Sequence, residues 1–367
     1  MSLQTPEKIR NLQKKLYVKA KTEPDYRFYL LYDKVWRADI LEHAYRLARA
    51  NGGAAGVDGV TFAAIAAAGE REWLAGLGKM LRERTYRPDP VRRVMIPKPN
   101  GGERPLGIPT IRDRVVQTAV KLVIEPIFEV DLEPNTYGYR PRRSAGDAIK
   151  AVHGGLRSGY TDVVDADLSK YFDTIPHDQL MQSVARRIAD GDILKLIKMW
   201  LKAPVEETDE DGRKRMTGGR RSKQGTPQGG VISPLLANLY MNRFLKYWRL
   251  TGQGRKLKAF VVADADDFVI LSRGHAAQAK AWARAVMTRL GLTLNEAKTS
   301  LCNARWERFN FLGYSFGPHY FPKGGRKYLG ASPSKKSVAR LSRGSATFCT
   351  RAIPSPGAKF GWSQTAR

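Results

Sequence analysis

The sequence predicts an α+β fold, in which a small antiparallel sheet packs on helices along one side. Two observations support this prediction. Segments with apolar residues at helical spacing are interspersed with short runs of β-branched and aromatic residues, and their order along the chain favours this arrangement. The 367 residues, 42% of them hydrophobic, are also enough for two or three folded subdomains with cores of their own.

The first half of the chain begins with helix and continues with strands. The first 50 residues are predicted to be helical, because "DKVWRADILEHAYRLARANGG" has helical apolar spacing and stops at Gly52–Gly53. "YRPDPVRRVMIPKPNGGERPLGIP" predicts two strands, with "PNGG" as their hairpin turn. "IRDRVVQTAVKLVIEPIFEV" predicts a helix. "TDVVDADLSKYFDTI" is typical of a buried strand that runs into a turn, and helix is expected from about His177 to Leu201.

The second half starts with a polar, Gly-rich stretch, "EETDEDGRKRMTGGRRSKQGTPQGG", which predicts either a loop or a solvated hairpin. "VISPLLANLYMNRFLKYWRL" predicts a helix with Ser233–Pro234 in its first turn. "KAFVVADADDFVILSRG" predicts two short strands around an acidic cluster, followed by a helix that Gly291 closes. "RFNFLGYSF" predicts one aromatic-rich strand. No acid follows Glu307, and the Ser-, Gly- and Pro-rich residues 341–367 are predicted to form a disordered basic tail.

The charge of the chain indicates a polyanionic partner. Its 63 Lys and Arg residues against 35 acids give a formal net charge of +28, which favours nucleic acid, because each neutralised phosphate releases counterions. An anionic membrane surface or a ribosome-like coat remain alternatives. With no apolar run of 18 residues, no signal-peptide-like start and only two distant cysteines, we expect a cytoplasmic protein without a disulfide framework or a zinc site.

Two acidic stretches predict a metal site. Each places aspartates directly after apolar β-formers: Asp167 in "VVDADLSKYFD", and Asp266 and Asp267 in "VVADADDFVIL". Neighbouring strands could bring these carboxylates together, at a cost in repulsion and desolvation unless cations fill the cluster. Mg²⁺ is the preferred cation for such oxygen ligands, and two ions can activate a hydroxyl and stabilise a leaving pyrophosphate. Together with the basic charge, this indicates phosphoryl transfer on nucleic acid.

From about residue 25 to about residue 340, the chain resembles group II intron-encoded reverse transcriptases (intron maturases). The resemblance rests on motifs that follow one another in the order of that family. They are "GVDGVTF", "IPKPNGGERPLGIPTIRDRVVQTAVKLVIEPIFE", "YGYRPRRSAGDAI", "DADLSKYFDTIPHDQL", "QGTPQGGVISPLLANLYMN", the "ADD" turn, "GLTLNEAKTSL" and "FNFLGYSF". Each motif alone is of modest specificity, and the ordered series is highly specific.

The resemblance implies a right-hand polymerase fold and RNA-templated DNA synthesis, with an RNA template (intron RNA), a DNA primer and deoxynucleoside triphosphates as partners. The implied organisation is an N-terminal helical extension, fingers, the palm with its small antiparallel sheet, and a remnant of a largely missing thumb with the basic tail. These correspond to residues 1–60, 61–160, 161–330 and 331–367. Two Mg²⁺ ions would be held by Asp167, Asp266 and Asp267.

The resemblance also implies roles for six further residues. Lys98 and Arg104 would contact the triphosphate, Phe172 would exclude a ribose 2′-OH, Gln228 and Gly229 would line the nucleotide pocket, and Lys298 would act as general acid toward pyrophosphate. Each has a structural alternative. Lys98 and Arg104 could be exposed hairpin charges, Phe172 core, Gln228 and Gly229 a helix-entry loop, and Lys298 a surface lysine. "RPRR" (residues 140–143) is interpreted as a phosphate contact, with solvated charge as the alternative.

The chain departs from the family at three places. Ala263 and Asp264 replace the usual Arg-Tyr before the "ADD" turn, Gly146 replaces a His, and the resemblance stops after "SPSKKSVARL". A carboxylate at residue 264 should repel a primer phosphate, so we expect impaired synthesis from a truncated chain. A non-catalytic, maturase-like RNA-binding protein is the main alternative function. A sugar transferase that uses Asp264-Ala-Asp266 is a third alternative, which leaves the basic charge unexplained.

Overall fold

The computed structural model describes residues 3–97, 102–209, 211–227, 229–321 and 324–339. The predicted site residues Lys98 and Gln228 and the predicted tail (341–367) lie outside these ranges. The helices are α1 (Glu7–Thr22), α2 (Tyr32–Val35), α3 (Ala38–Asn51), α4 (Phe62–Ala68), α5 (Glu70–Arg82), α6 (Ile111–Glu129), α7 (Ala145–Arg157), α8 (Tyr171–Thr174), α9 (His177–Ala185), α10 (Gly191–Leu201), α11 (Ser233–Leu250), α12 (Gln253–Lys256) and α13 (Ala276–Arg289). None of these described helices is long and apolar enough to cross a membrane.

The strands form three sheets within the described residues. They are β1 (Val91–Pro97), β2 (Glu103–Ile108), β3 (Asp162–Asp167), β4 (Pro204–Thr208), β5 (Lys214–Gly218), β6 (Ala259–Asp264), β7 (Asp267–Ser272), β8 (Ser300–Asn303), β9 (Phe309–Phe311), β10 (Tyr314–Tyr320) and β11 (Lys327–Pro333). The sheet orders are β2-β1-β4-β5, β6-β7-β3-β8 and β11-β10-β9. The α+β class is therefore confirmed.

Helix α6 forms the centre of the N-terminal helical layer. Its apolar residues lie on nearly all sides, as expected of a helix that is surrounded by protein, and α1 and α3 pack against it. Asp113, near the start of α6, is also buried. A hydrogen bond of 2.6 Å that it accepts from the hydroxyl of Tyr86 offsets part of the cost of desolvating its carboxylate. The predicted helix of the α6 segment is confirmed, whereas the first 50 residues, predicted to be helical throughout, form α1, α2 and most of α3 with a non-helical segment at residues 23–31.

The sheet β6-β7-β3-β8 is antiparallel and has a core on each face. Alternate residues such as Val164 and Ile270 contact the large core that contains α11 and α13. Their neighbours Val163 and Leu271 contact a second core, built from α7 and the sheet β11-β10-β9. The prediction of helices on one side only was wrong, because the helix α7 brings its own apolar face to the opposite surface.

The sheet β2-β1-β4-β5 joins two hairpins that are far apart in the chain. Strand β1 pairs with β2 in antiparallel and with β4 in parallel orientation. The "EETDEDGRKRMTGG" segment forms the β4–β5 hairpin, so the hairpin alternative for that segment is confirmed. The hairpin turn predicted between β1 and β2 lies within residues 98–101, outside the described residues. The subdomain boundaries stay predictions.

The expected helix from His177 to Leu201 is two helices, α9 and α10. Between them, Ile188 forms a parallel bridge with Phe28, and the carbonyl oxygen of Phe28 accepts hydrogen bonds from Ala189 and Asp190. The carboxylate of Asp190 then caps α10, accepting hydrogen bonds from the backbone N–H groups of Asp192 and Ile193. A contact with the distant N-terminal segment thus interrupts the helix, and local periodicity cannot reveal such a contact.

"RFNFLGYSF" is likewise two strands, β9 and β10, where one was expected. Leu312 (φ 49°) and Gly313 (φ 79°) both adopt left-handed backbone conformations and form a tight turn between the strands. A leucine rarely adopts a positive φ, so the segment gave no turn signal before Gly313. Strands β8 and β11 were also not predicted.

Candidate active site

Three aspartates form a row across the sheet. In the register of β3, β7 and β6, Asp167 lies opposite Asp267, and Asp267 lies opposite Asp264. Directly opposite residues in antiparallel strands point to the same face, with Cβ atoms about 5 Å apart. Asp266 lies next to Asp267, in the two-residue turn between β6 and β7, where Ala265 has φ 58°. The fold therefore brings Asp167, Asp266 and Asp267 together, as predicted, and adds Asp264. We call these four residues the acidic row.

Lys298 adjoins the acidic row at Asp167. Since Asp165 pairs with Ser300 of β8, extending that register by two residues places Lys298 opposite Asp167. Its ammonium donates a hydrogen bond of 2.9 Å to Oδ2 of Asp167, and Nδ2 of Asn295 donates another of 3.2 Å to the same atom. The bond to Asp167 raises the pKa of Lys298, so the lysine stays protonated. Lys298 is therefore a partner of the acidic row rather than a solitary surface charge.

The row is electrostatically strained. Desolvation by the surrounding protein, followed by repulsion from Asp266, Asp167 and Asp165, raises the pKa of Asp267 to about 7, although its side chain reaches solvent. Desolvation and repulsion also raise the pKa values of Asp264 and Asp266. Carboxylates in this situation bind either protons or cations.

The carboxylates do not form a preassembled metal cage. Within the described ranges, no group of three or more His, Cys, Asp and Glu side chains is placed to hold a metal ion. The register nevertheless fixes Asp167 and Asp267 as direct neighbours, and each acts electrostatically on Asp266. The backbone pairing therefore keeps Asp167 and Asp267 adjacent, and Asn295 and Lys298 hold the Asp167 carboxylate by hydrogen bonds.

Asp264 packs on a segment that extends the sheet beyond β6. The amide of Tyr137 donates a hydrogen bond of 2.9 Å to the carbonyl oxygen of Ala263, whose own amide donates one of 3.0 Å to Asn135. A Cβ atom at Gly138 would lie 2.6 Å from Oδ1 of Asp264, so only glycine fits there. Asp264 is therefore held between this segment and Asp267, at the edge of the row.

Arg140 anchors that segment from within the protein. It is 8% exposed, its guanidinium donates hydrogen bonds to both carboxylate oxygens of Glu129, and Nη1 also donates to the carbonyl oxygens of Glu133 and Thr136. The interpretation of "RPRR" as a phosphate contact is therefore wrong for Arg140, because its donors are engaged internally. The sequence could not predict this internal role, because a run of arginines does not show which of them is buried.

Phe172 lies beside the loop that precedes α11. Its carbonyl oxygen accepts a hydrogen bond of 2.6 Å from the amide of Thr226, and its half-buried ring meets Tyr171 edge to face at 5.8 Å. At Gly225 (φ 93°), a Cβ atom would lie 3.0 Å from the carbonyl oxygen of Asp173. Residues 225 and 226 of this loop are thus fixed against the segment that follows Asp167. The role of Phe172 as a sugar gate stays a prediction.

Gly229 meets the β1–β2 hairpin directly. It has φ 103°, and a Cβ atom there would collide with the carbonyl group of Gly107 in β2. Close backbone packing thus explains this glycine independently of any nucleotide, and its substrate role stays a prediction. On the same strand, Arg104 is exposed opposite Ile96, and it makes no salt bridge within the described part of the chain.

Two residues at the site were not singled out from the sequence. Asn295 contacts Asp167 through its side chain and, with its amide, donates a hydrogen bond of 2.9 Å to the Asp167 carbonyl oxygen. Its place in "GLTLNEAKTSL", three residues before Lys298, was an available signal. Tyr139 has φ 55°, and 56% of its surface is exposed. Desolvation of the part that the protein covers, followed by the charges of Asp266 and Asp264, raises its pKa. Its place in "YGYRPRRSAGDAI" was an available signal.

The chain is similar to known proteins over most of its length. A family model described as "Reverse transcriptase (RNA-dependent DNA polymerase)" matches residues 96–316. Protein YkfC of Escherichia coli (strain K12) is 36% identical over 345 residues, which cover 83% of this chain and 87% of YkfC. Group II intron-encoded protein LtrA of Lactococcus lactis subsp. cremoris is 35% identical over 224 residues, which cover 60% of this chain and 35% of LtrA. The chain thus spans about a third of the length of LtrA.

Among solved structures, apo telomerase from Candida tropicalis, truncated from its C-terminal domain, has a TM-score of 0.48 and 11% sequence identity. The similarity covers 71% of this chain and 60% of that chain.

Proposed function

This chain belongs to the reverse transcriptase (RNA-dependent DNA polymerase) family, and on that premise we propose that Asp167, Asp266 and Asp267 of the acidic row catalyse RNA-templated addition of deoxynucleotides to a DNA primer. The observation that carries the proposal is the cross-strand placement of Asp167 beside Asp267, with Lys298 in contact with Asp167. A purely structural sheet edge gains nothing from adjacent like charges, which destabilise it. A site for a polyphosphate and its cations accounts for them.

The residues of the row suit Mg²⁺. Asp167, Asp266 and Asp267 offer hard carboxylate oxygens, and burial, followed by repulsion from neighbouring carboxylates, raises the pKa values of Asp266 and Asp267. We propose these three side chains as the ligands. Two Mg²⁺ ions held by these residues would supply Lewis-acid activation of the attacking hydroxyl and charge neutralisation for the leaving pyrophosphate.

We propose that Lys298 and Asn295 orient Asp167, and that Lys298 also protonates the leaving pyrophosphate. The protonated ammonium of Lys298 is largely exposed beside the row, so it can turn from Asp167 toward an incoming phosphate. Asn295 keeps its hydrogen bond to Asp167 meanwhile. Lys298 would then donate a proton to the pyrophosphate, and Arg104, with Lys98, would neutralise the triphosphate from the β1–β2 hairpin.

We further propose that the enzyme is of the group II intron type and acts on intron RNA. The similarity to LtrA and the net charge of +28 support a structured RNA partner. The alternative of a non-catalytic RNA-binding protein accounts for the charge, but it leaves the strained acidic row without a purpose.

Chelation separates these two functions. With an RNA template and an annealed DNA primer, we expect deoxynucleotide addition in Mg²⁺, complete loss of addition in excess EDTA, and recovery when Mg²⁺ is restored. RNA binding, measured by filter retention in the same buffers at constant ionic strength, should persist throughout. A chain that binds RNA but adds no nucleotide in Mg²⁺ or Mn²⁺ would support the binding protein and refute the polymerase.

Replacing Asp264 by Tyr should increase single-nucleotide addition by about tenfold, because it removes one charge that would repel a primer phosphate. Asp264→Asn removes the charge without adding a ring, so it serves as the matched control. Single-turnover addition of one templated deoxynucleotide measures the effect. If Asp264→Tyr and Asp264→Asn both add nucleotide at or below the wild-type rate, Asp264 does not limit synthesis.

A further inference from the structure

A basic groove lies at the end of strand β3 that is far from the acidic row. It is a groove of about 800 Å³ between the C-terminal turn of α7, the turn after β8 and the start of β11. We call it the Trp306 groove. Thr161, just before β3, lines the groove, whereas Asp167 ends the strand, so the two sites are roughly 20 Å apart at about 3.3 Å per residue. Its principal side chains are Arg157, Arg305, Trp306, Lys327 and Tyr328.

The cations of this groove lack acidic partners. Arg157, Arg305 and Lys327 are exposed, and none of them forms a salt bridge with a described residue. No acid is among the residues that line the groove. Glu307 lies next in sequence to Trp306, whereas the carboxylate of Asp162 is engaged by Asn303 and by the amide of Gly274. The excess positive charge fits a polyanion.

The aromatic side chains are unusually accessible for a surface without a partner. Trp306 is 73% exposed and Tyr328 40% exposed, and the ring of Phe321 lies 4.4 Å from that of Tyr328. The ammonium of Lys327 lies 4.2 Å from the centroid of the Trp306 ring. Aromatic faces next to unpaired cations are the combination on which unpaired bases stack while their phosphates are neutralised.

We propose that the Trp306 groove binds an unpaired nucleic-acid strand away from the acidic row. Bases stack on Trp306 and Tyr328, and the phosphates contact Arg157, Arg305 and Lys327. A duplex fits less well, because its paired bases already stack on one another and cannot cover the exposed rings. An acidic protein segment would satisfy the cations but leaves the rings unexplained. This inference goes beyond the proposed polymerase function, because it assigns a second nucleic-acid-binding site that is separate from the acidic row.

Binding of a short fluorescent oligouridine to the full-length chain, measured by anisotropy, tests the proposal. Trp306→Ala should weaken binding by about tenfold or more, whereas Trp306→Phe should keep most of the affinity, since one base–aromatic stack contributes at this level. Arg157→Ala should lower the slope of log affinity against log salt by about 0.7, as expected for one phosphate contact with a single strand. Tyr29→Ala and Arg10→Ala are matched controls, because both residues are exposed and belong to other parts of the surface.

Location and polynucleotide type are tested in the same system. Photocross-linking with a 4-thiouridine oligonucleotide should label peptides that contain Trp306 or Tyr328, and comparing oligouridine with oligothymidine assigns the strand to RNA or DNA. Equal affinities of wild type, Trp306→Ala and Arg157→Ala would overturn the proposal, as would cross-links confined to other peptides. Nucleotide addition to a preformed primer–template should survive Trp306→Ala, so failure of the groove and failure of the polymerase are distinguishable.

Discussion

Asp167→Asn is expected to lower the rate of templated deoxynucleotide addition about 1,000-fold or more, because one metal-binding oxygen contributes several kcal/mol to transition-state stabilisation. The amide preserves the size of the side chain and can still hydrogen-bond with Asn295, but it cannot form the ion pair with Lys298. Since Lys298 is largely exposed, that lost pair should cost less than about 1 kcal/mol of folding stability. Rapid-quench measurement of single-nucleotide addition gives the rate, and thermal unfolding verifies the fold.

Asp165→Asn is the matched control for this result. Asp165 lies on the same strand two residues before Asp167, and burial, followed by repulsion from Asp167, raises its pKa to about 6. It faces Val269 rather than the turn that carries Asp266, so we do not assign it a metal. Asp165→Asn should keep most of the wild-type rate. Equal losses in both variants would mean that general charge at the strand end, rather than ligation by Asp167, supports activity.

Phe172→Ala should reduce the preference for deoxynucleotides over ribonucleotides by about 100-fold, since a small pocket residue no longer excludes the additional hydroxyl. The ring of Phe172 is only half-buried, so one side remains available to a substrate, and its backbone is fixed to Thr226. The ratio of kcat/KM values for matched deoxy- and ribonucleotides measures the preference.

Phe172→Tyr is the control, because it keeps a ring of the same width and should keep the preference. If Phe172→Ala unfolds at a lower temperature but selects deoxynucleotides as the wild type does, Phe172 is a core residue. The sugar-gate prediction would then be wrong.

The sequence predicted elements whose signal is local. The helix α6 follows from its apolar spacing, and the acidic row follows from aspartates that end runs of β-formers. Asp167 and Asp267 meet because β3 and β7 pair in an antiparallel register that the two local sequences do not specify. The resemblance to intron-encoded enzymes identified Lys298, which local physics alone would have left as a surface lysine.

What the sequence could not predict depends on contacts between distant residues or on unusual backbone conformations. Phe28 interrupts the helix expected from His177 to Leu201, and the left-handed Leu312 divides an aromatic strand. Burial against Glu129 converts Arg140 from an expected phosphate contact into an internal anchor. The acidic neighbours of Tyr139 likewise come from a chain segment that lies far away in sequence.

The most direct test of the central claim is whether the RNA template base decides which deoxynucleotide the chain adds. Four RNA templates that differ only at the first unpaired position are annealed to one DNA primer, and each deoxynucleotide is offered singly in Mg²⁺. The account predicts addition of the complementary deoxynucleotide on each template, and no addition by Asp167→Asn. Addition that ignores the template base, or no addition on any template, would contradict it.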